Sequence, residues 1–230
     1  MDQAWSDTID DVVEEILQQT ELPTPPINML EVCQVLDFVL AIDDSQPTRA
    51  RHKRAAGRHM IFLKSDERPE RLHWAAAHEV GEAVAYRVFE RMNVSEDEIF
   101  LEQREQVANV IASRLLLPKR WFFDDARALQ GDLLELKARY STASHELIAW
   151  RLLDLSEQRI ISIFDGGRLT RRRSNLPHQP PKLQRLEIDC WETVHHENRP
   201  VIVQDHQFEV RGWPVHEAGW KREVICTVPL

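Results

Sequence analysis

In Ala77-His78-Glu79-Val80-Gly81-Glu82, residue types and spacing fit chemistry. On a helix, residues i and i+4 project from one face about one turn apart. His78 and Glu82 can therefore bind one metal ion as a pair. Glu79, next to His78, can reach a water at that metal without being a ligand itself. The arrangement is H-E-x-x-H with a glutamate in the second histidine position. Such a pair supplies two ligands, and a catalytic zinc usually takes three from the protein. The next helical segment offers one at Glu105, far enough downstream for the first helix to finish, turn and return antiparallel. Ala108 and Ala112 beside it are small enough to let two helices approach closely.

H-E-x-x-E alone also describes an ordinary solvated helix face. Its surroundings argue otherwise, because Trp74, Ala75, Ala76, Ala77, Val80, Ala83 and Val84 make this helix apolar around most of its circumference. A histidine and two carboxylates buried there need a partner, since an isolated buried charge is costly.

The elements that must position these residues follow from periodicity. Residues 7–19 carry Ile9, Val12, Val13, Ile16 and Leu17 at helical spacing, and Pro23, Pro25 and Pro26 stop that helix. Ile27–Leu36 reads as a short helix, and 38–42 and 60–63 as strands with the basic segment between them as a loop. Glu70–Arg91 is one long helix, interrupted at Gly81 at a cost of about 1 kcal/mol relative to alanine. A polar interval, Asn93–Glu98, leads to helices over about 102–117 and from Pro118 to Leu129. Helices at 132–139 and 143–154 follow, the second capped by Ser141 or Thr142. Beyond Ser156 the reading is β-rich. Arg159–Phe164 and Arg168–Arg173 flank Asp165-Gly166-Gly167 as a hairpin, and strands are expected at 186–194, 201–203, 208–213 and 223–228. The expected class is α+β, a helix-rich body with a small sheet followed by a β-rich tail. The expected boundaries are 1–130, a helical pair at 131–156, and 157–230.

The chain has 230 residues, 43% hydrophobic and 29% charged, which fits a folded globular protein of one or two domains. A net charge of −9 excludes a generally basic nucleic-acid-binding surface. The charge is uneven: residues 1–48 hold eleven carboxylates and no Lys or Arg, whereas Arg49–Lys64 holds six basic residues and no acid. Two oppositely charged solvated faces account for this, and an acidic surface suits a basic partner. Cys33, Cys190 and Cys226 form no pairing pattern, there is no signal-peptide pattern, and no apolar run is long enough to span a membrane. A cytoplasmic location is expected.

With these residues in view, the chain resembles the ImmA/IrrE family of metallopeptidase-like proteins. Four stretches carry the resemblance, in order: Pro25-Pro26-Ile27-Asn28; Met60–Leu63; Ala77–Glu82; and Glu105-Gln106-Val107-Ala108-Asn109 running to Leu115-Leu116-Leu117-Pro118. The segment from Leu136 to Leu152 looks like the family's helical continuation. The resemblance covers roughly residues 20–155 and omits the tail. It implies a gluzincin-like zinc peptidase fold with His78 as first metal ligand, Glu79 as general base and Glu105 as third ligand. It also implies a helix-turn-helix repressor as substrate, in stress or mobile-element regulation. The middle ligand falls on Glu82, where this sequence departs from the family pattern.

That departure has physical consequences. One neutral histidine and two carboxylates nearly cancel a divalent ion's charge, so water there is acidified less. Oxygen-rich ligation also moves preference from Zn²⁺ toward Mn²⁺. Altered metal choice, slow catalysis and loss of metal are all open. The rival reading is a catalytically impaired regulator that binds a protein partner or DNA. Tyr86, Tyr140 and His145 are candidate oxyanion stabilisers, although packing or exposure explains each. The 132–154 helix pair has the form of a helix-turn-helix, yet its near-neutral charge favours a packing role over DNA. Arg171-Arg172-Arg173 fits a phosphate contact or, more simply, a solvated hairpin end. His195-His196 and His206 have no spacing that supports a second metal, and the tail tryptophans fit a small β core.

Overall fold

The computed structural model describes residues 3–20, 24–55, 57–95, 98–217 and 219–230. Pro23 and part of the Asn93–Glu98 interval lie outside the described residues. The chain is α+β and divides into two compact units, Met1–Asp125 with Ala138–Ser144, and Ala126–Lys137 with His145–Leu230.

In the first unit, α1 (Gln3–Gln19) buries Ile9, Val12, Val13, Ile16 and Leu17, the stripe that its periodicity predicts. Asn28 caps α2 (Met29–Val35) by accepting from the Leu30 N–H. The Met29 N–H then donates to His73 Nδ1 at 3.3 Å, tying α2 to the long helix α3 (Pro69–Arg91). Proline in the first turn of α3 has no amide to leave unsatisfied.

A three-stranded sheet lies in this unit. β1 (Phe38–Ile42) runs parallel to β3 (Arg58–Leu63), and β2 (Ala50–Ala55) pairs antiparallel with β3, in the order β1-β3-β2. The basic segment expected as a loop is therefore largely strand. Its Arg-His-Lys-Arg run carries no apolar alternation because β2 is an edge strand, where charged side chains are tolerated and discourage further pairing. Ile61 and Leu63 of β3 fill the core.

α4 (Leu101–Leu116) packs against α3 with Val107, Ala108, Ile111 and Ala112 buried. The approach is closest at Gly81, where an added Cβ would lie 2.5 Å from the Ala108 carbonyl oxygen. Gly81 is thus a packing requirement, beyond its cost in helix propensity. α5 (Lys119–Ala128), α6 (Leu133–Arg139) and α7 (His145–Arg151) follow, with a 3-10 turn at Leu152–Asp154. Because α7 starts at His145, Ser141 and Thr142 lie too early to be its N-cap.

The second unit holds a five-stranded antiparallel sheet of order β5-β4-β8-β7-β6. Its strands are β4 (Ile160–Asp165), β5 (Arg168–Ser174), β6 (Val201–Gln204), β7 (Phe208–Glu217) and β8 (Trp220–Pro229). Gly166 (φ 56°) and Gly167 (φ 79°) make the tight β4–β5 turn. The stretch expected as a strand at 186–194 is instead helical, α8 (Arg185–Glu197). Leu186, Cys190 and Val194 recur every four residues and face one core with Phe164, Val210 and Ile225, a helical period hidden in a short apolar run. Three of the four arginines of β5, Arg171, Arg172 and Arg173, are engaged within this unit. Arg171 pairs with Glu146, Arg172 grips buried Glu187 through two hydrogen bonds, and Arg173 covers the Trp150 ring. Trp213 is buried and Trp191 stacks on Phe164 at 4.7 Å, so both belong to the core of this unit.

Candidate metal centre

Helical spacing puts His78 and Glu82 on one face of α3, and the Gly81–Ala108 contact draws α4 close enough to add Glu105. One donor atom from each of the three residues lies within 4.8 Å of the others. His78 Nε2 and Glu105 Oε2 are 3.7 Å apart. Two donors of one tetrahedral ion sit about 3.4 Å apart at ordinary bond lengths. The three side chains therefore fit a divalent cation. Oxygen donors outnumber nitrogen, so the set suits Mn²⁺ as well as Zn²⁺.

Asn109 was part of the expected motif without a role, and the structure gives it one. Its Oδ1 accepts from His78 Nδ1 at 3.1 Å, and its Nδ2 donates to Glu105 Oε1 at 3.0 Å. The first bond holds the proton on Nδ1 and leaves the Nε2 lone pair for an ion; the second fixes Glu105 with Oε2 turned toward His78. The signal was local, since Asn109 follows Glu105 by one helical turn.

Arg104 was also missed. Its Nε lies 3.3 Å from Glu82 Oε2, and its Nη2 donates to the Glu82 carbonyl oxygen at 3.3 Å. A permanent positive charge thus sits beside the carboxylate that replaces a histidine.

Glu79 is half-buried beside this cluster. Burial raises its carboxyl above the usual range, and Glu82 and Glu105 add to the rise, against the opposing pull of His78 and of the His52 backbone N–H that donates to it. His52, on β2, stacks on His59 at 4.9 Å, with His52 Nε2 2.8 Å from His59 Nδ1. Burial first, then His59 and Arg104, lowers the His52 pKa, which keeps that ring neutral near pH 7. The loop expectation for 50–55 had hidden both this imidazole pair and the amide that meets Glu79.

Of the oxyanion candidates, Tyr140 is fully buried, packs on Phe122 and donates from its hydroxyl to Asp125 Oδ2 at 2.6 Å, a structural use. Tyr86 is exposed. His145 opens α7, outside the unit that holds His78. A cavity of about 280 Å³ in the first unit is lined by Arg49, Lys64, Asp66 and Arg71 among others, and by none of the candidates His78, Glu79, Glu82 and Glu105.

The IrrE N-terminal-like domain family, peptidase family M78, matches residues 33–153, more than half of the chain. The chain belongs to this family. The matched span of this ImmA/IrrE protein includes α3, α4 and the candidate residues His78, Glu79, Glu82 and Glu105. A transcriptional regulator from Mycobacterium tuberculosis has a similar structure, with a TM-score of 0.68 and 17% sequence identity, over 96% of this chain and 75% of its own. At that identity the likeness speaks for the fold alone. None of the curated proteins matches this ImmA/IrrE protein. Among the described residues no helix is long and apolar enough to cross a membrane.

Proposed function

We propose that this ImmA/IrrE protein is a metal-dependent endopeptidase of zincin-like fold, with His78, Glu82 and Glu105 as metal ligands and Glu79 as general base. The observation that carries the reading is the convergence of the three donor atoms within 4.8 Å beside a half-buried carboxyl of raised pKa. The chemistry that Zn²⁺ or Mn²⁺ supplies when held there is Lewis acidity toward a scissile carbonyl. Asn109 keeps His78 and Glu105 oriented. Glu79 takes a proton from the attacking water as the C–O bond forms, and hands it to the leaving amine as the C–N bond breaks. A carboxyl pKa moved toward neutrality suits both transfers. Arg104 returns the positive charge that Glu82 removes relative to a histidine. The substrate we propose is a cytoplasmic helix-turn-helix repressor, with 1–130 as the peptidase-like body, 131–156 as a packed helical pair and 157–230 as a sensing or partner-binding region.

The Arg104–Glu82 ion pair also favours a second reading, a non-catalytic regulator that binds a protein or DNA partner, because a guanidinium competes with a cation for that carboxylate. One experiment separates the two. Metal content is measured on protein purified without chelator, and cleavage of a candidate repressor is compared with Glu79→Gln. The peptidase reading expects stoichiometric metal in both proteins and a loss of cleavage of at least about 100-fold in the variant. Metal-free protein that does not gain metal on Glu82→His overturns it.

A further inference from the structure

We infer that the second unit holds a metal site of its own, built from His195, His216 and Glu223 for a divalent transition-metal ion. These residues are far apart in sequence and come from three segments. Glu223 on β8 pairs in register with Pro214 on β7, and His216 lies two residues further along β7 on the same face. α8 crosses that face and brings His195 down from near its C-terminal end. Close packing permits this. Gly212 on β7 leaves so little room that an added Cβ would stand 2.6 Å from Val194 and 3.1 Å from the Cys190 sulfur, both on α8.

Glu223 is fully buried, His216 is largely buried, and His195 keeps about a quarter of its side chain exposed. One donor atom from each lies within 4.8 Å of the others. His195 Nδ1 is 2.9 Å and His216 Nε2 is 2.6 Å from the same oxygen, Glu223 Oε1. The other oxygen, Oε2, accepts from Trp191 Nε1 at 3.1 Å, which fixes the carboxylate with Oε1 toward the imidazoles. Trp191 is itself held by stacking on Phe164. A ligand carboxylate oriented by an outer hydrogen bond is the usual construction of a protein metal site.

Charge points the same way. Among the described residues no lysine or arginine ion pair reaches the buried Glu223, and its close partners are the two imidazoles. The adjacent Arg222 turns to Glu146 and Asp165 instead. With both imidazoles unprotonated, a divalent ion would turn a buried charge of −1 into +1. A neutral imidazole that donates to Glu223 would ligate the ion from that same nitrogen once its proton has moved to the opposite ring nitrogen. Donors now 2.6 and 2.9 Å apart must open by about 0.8 and 0.5 Å to reach the separation around a tetrahedral ion. His195, the most exposed of the three, gives solvent a route in. A two-imidazole, one-carboxylate set selects zinc or a neighbouring transition metal over Ca²⁺ or Mg²⁺, which prefer all-oxygen cages.

The test uses the full-length chain carrying His78→Ala, which disables the centre on α3 and α4, and Zn²⁺ as the probe. One equivalent of zinc is expected to remain after dialysis. His216→Asn or His195→Gln in that background should weaken binding by more than about 100-fold, and Trp191→Phe by about 10- to 100-fold, the usual effect of losing an outer partner. His196→Ala, a neighbour outside the set, should change nothing. Nitrogen NMR of the imidazoles in the His78→Ala chain needs no further substitution, and zinc should shift His195 Nδ1 and His216 Nε2. The proposal is overturned if the folded His78→Ala chain takes up no zinc, which would leave a hydrogen-bonded tie between α8 and the hairpin. It is equally overturned if zinc uptake survives both histidine substitutions or leaves those two nitrogens unshifted.

Discussion

Asn109 performs two tasks with one amide. Its oxygen decides which nitrogen of His78 carries the proton, and its nitrogen decides which oxygen of Glu105 is turned away from His78. Replacing it by alanine leaves all three donor residues in place yet frees two of them to rotate. Asn109→Ala should therefore lower metal affinity by about 10- to 100-fold while the folded fraction at room temperature is unchanged, as read by competition with a chromophoric chelator. Unaltered affinity would mean that packing alone orients His78. His78, Glu79 and Glu82 could be read from the sequence because helical spacing is local. Arg104 could not, since its pairing with Glu82 depends on how two helices face each other. His216 and Glu223 were hidden more deeply, because their meeting depends on strand register.

At the scale of elements, the α3–α4 pair is set by what is missing at Gly81. Alanine there would gain about 1 kcal/mol of helix propensity. The added Cβ would meet the Ala108 carbonyl oxygen at 2.5 Å, and a backbone atom cannot swing aside. Overpacking of that kind costs about 1–3 kcal/mol, so the steric penalty outweighs the propensity gain. Gly81→Ala should lower the midpoint of thermal unfolding by a few degrees, and it should weaken metal binding because Glu105 stands one turn from the contact. A stabilised variant with intact metal affinity would refute the close approach. The long amphipathic helices were legible because several turns repeat the same pattern. β2 was not, because an edge strand of arginine, histidine and lysine has no apolar side to announce it. α8 read as a strand because its apolar face spans barely three turns.

Across the whole molecule the net charge is −9, but the acids of α1 are largely paired with basic side chains. In the first unit Glu14 and Glu15 on α1 pair with Arg120 and Arg91, and Asp10 with Arg114 and Lys119. Much of the acidic front is thus answered internally, which weakens the case for attracting a basic partner through α1. In the second unit Asp165 joins Arg222 and Thr170. Burial pushes the Asp165 carboxyl up, but those hydrogen bonds and the arginine charges outweigh it, and its pKa falls below the ordinary value. A lowered pKa contributes stability that is present in full above the unfolded value near 4 and is lost as pH falls through the folded value. Asp165→Asn should accordingly be less stable than the natural chain at pH 7, by about 1 kcal/mol, with the gap closing below about pH 4 in denaturant titrations. A gap independent of pH would remove Asp165 from acid sensitivity. The cysteines lead to a different kind of measurement. Cys33 in the first unit and Cys190 and Cys226 in the second are all buried, and burial drives the first two thiols up to about 12. An alkylating reagent needs the thiolate, so each sulfur must wait for its surroundings to open. Labelling followed by mass spectrometry thus turns the three thiols into internal clocks, Cys33 timing the opening of one unit and the other two that of its companion, and zinc that binds at His195 and His216 should slow the Cys190 clock while Cys33 keeps its rate.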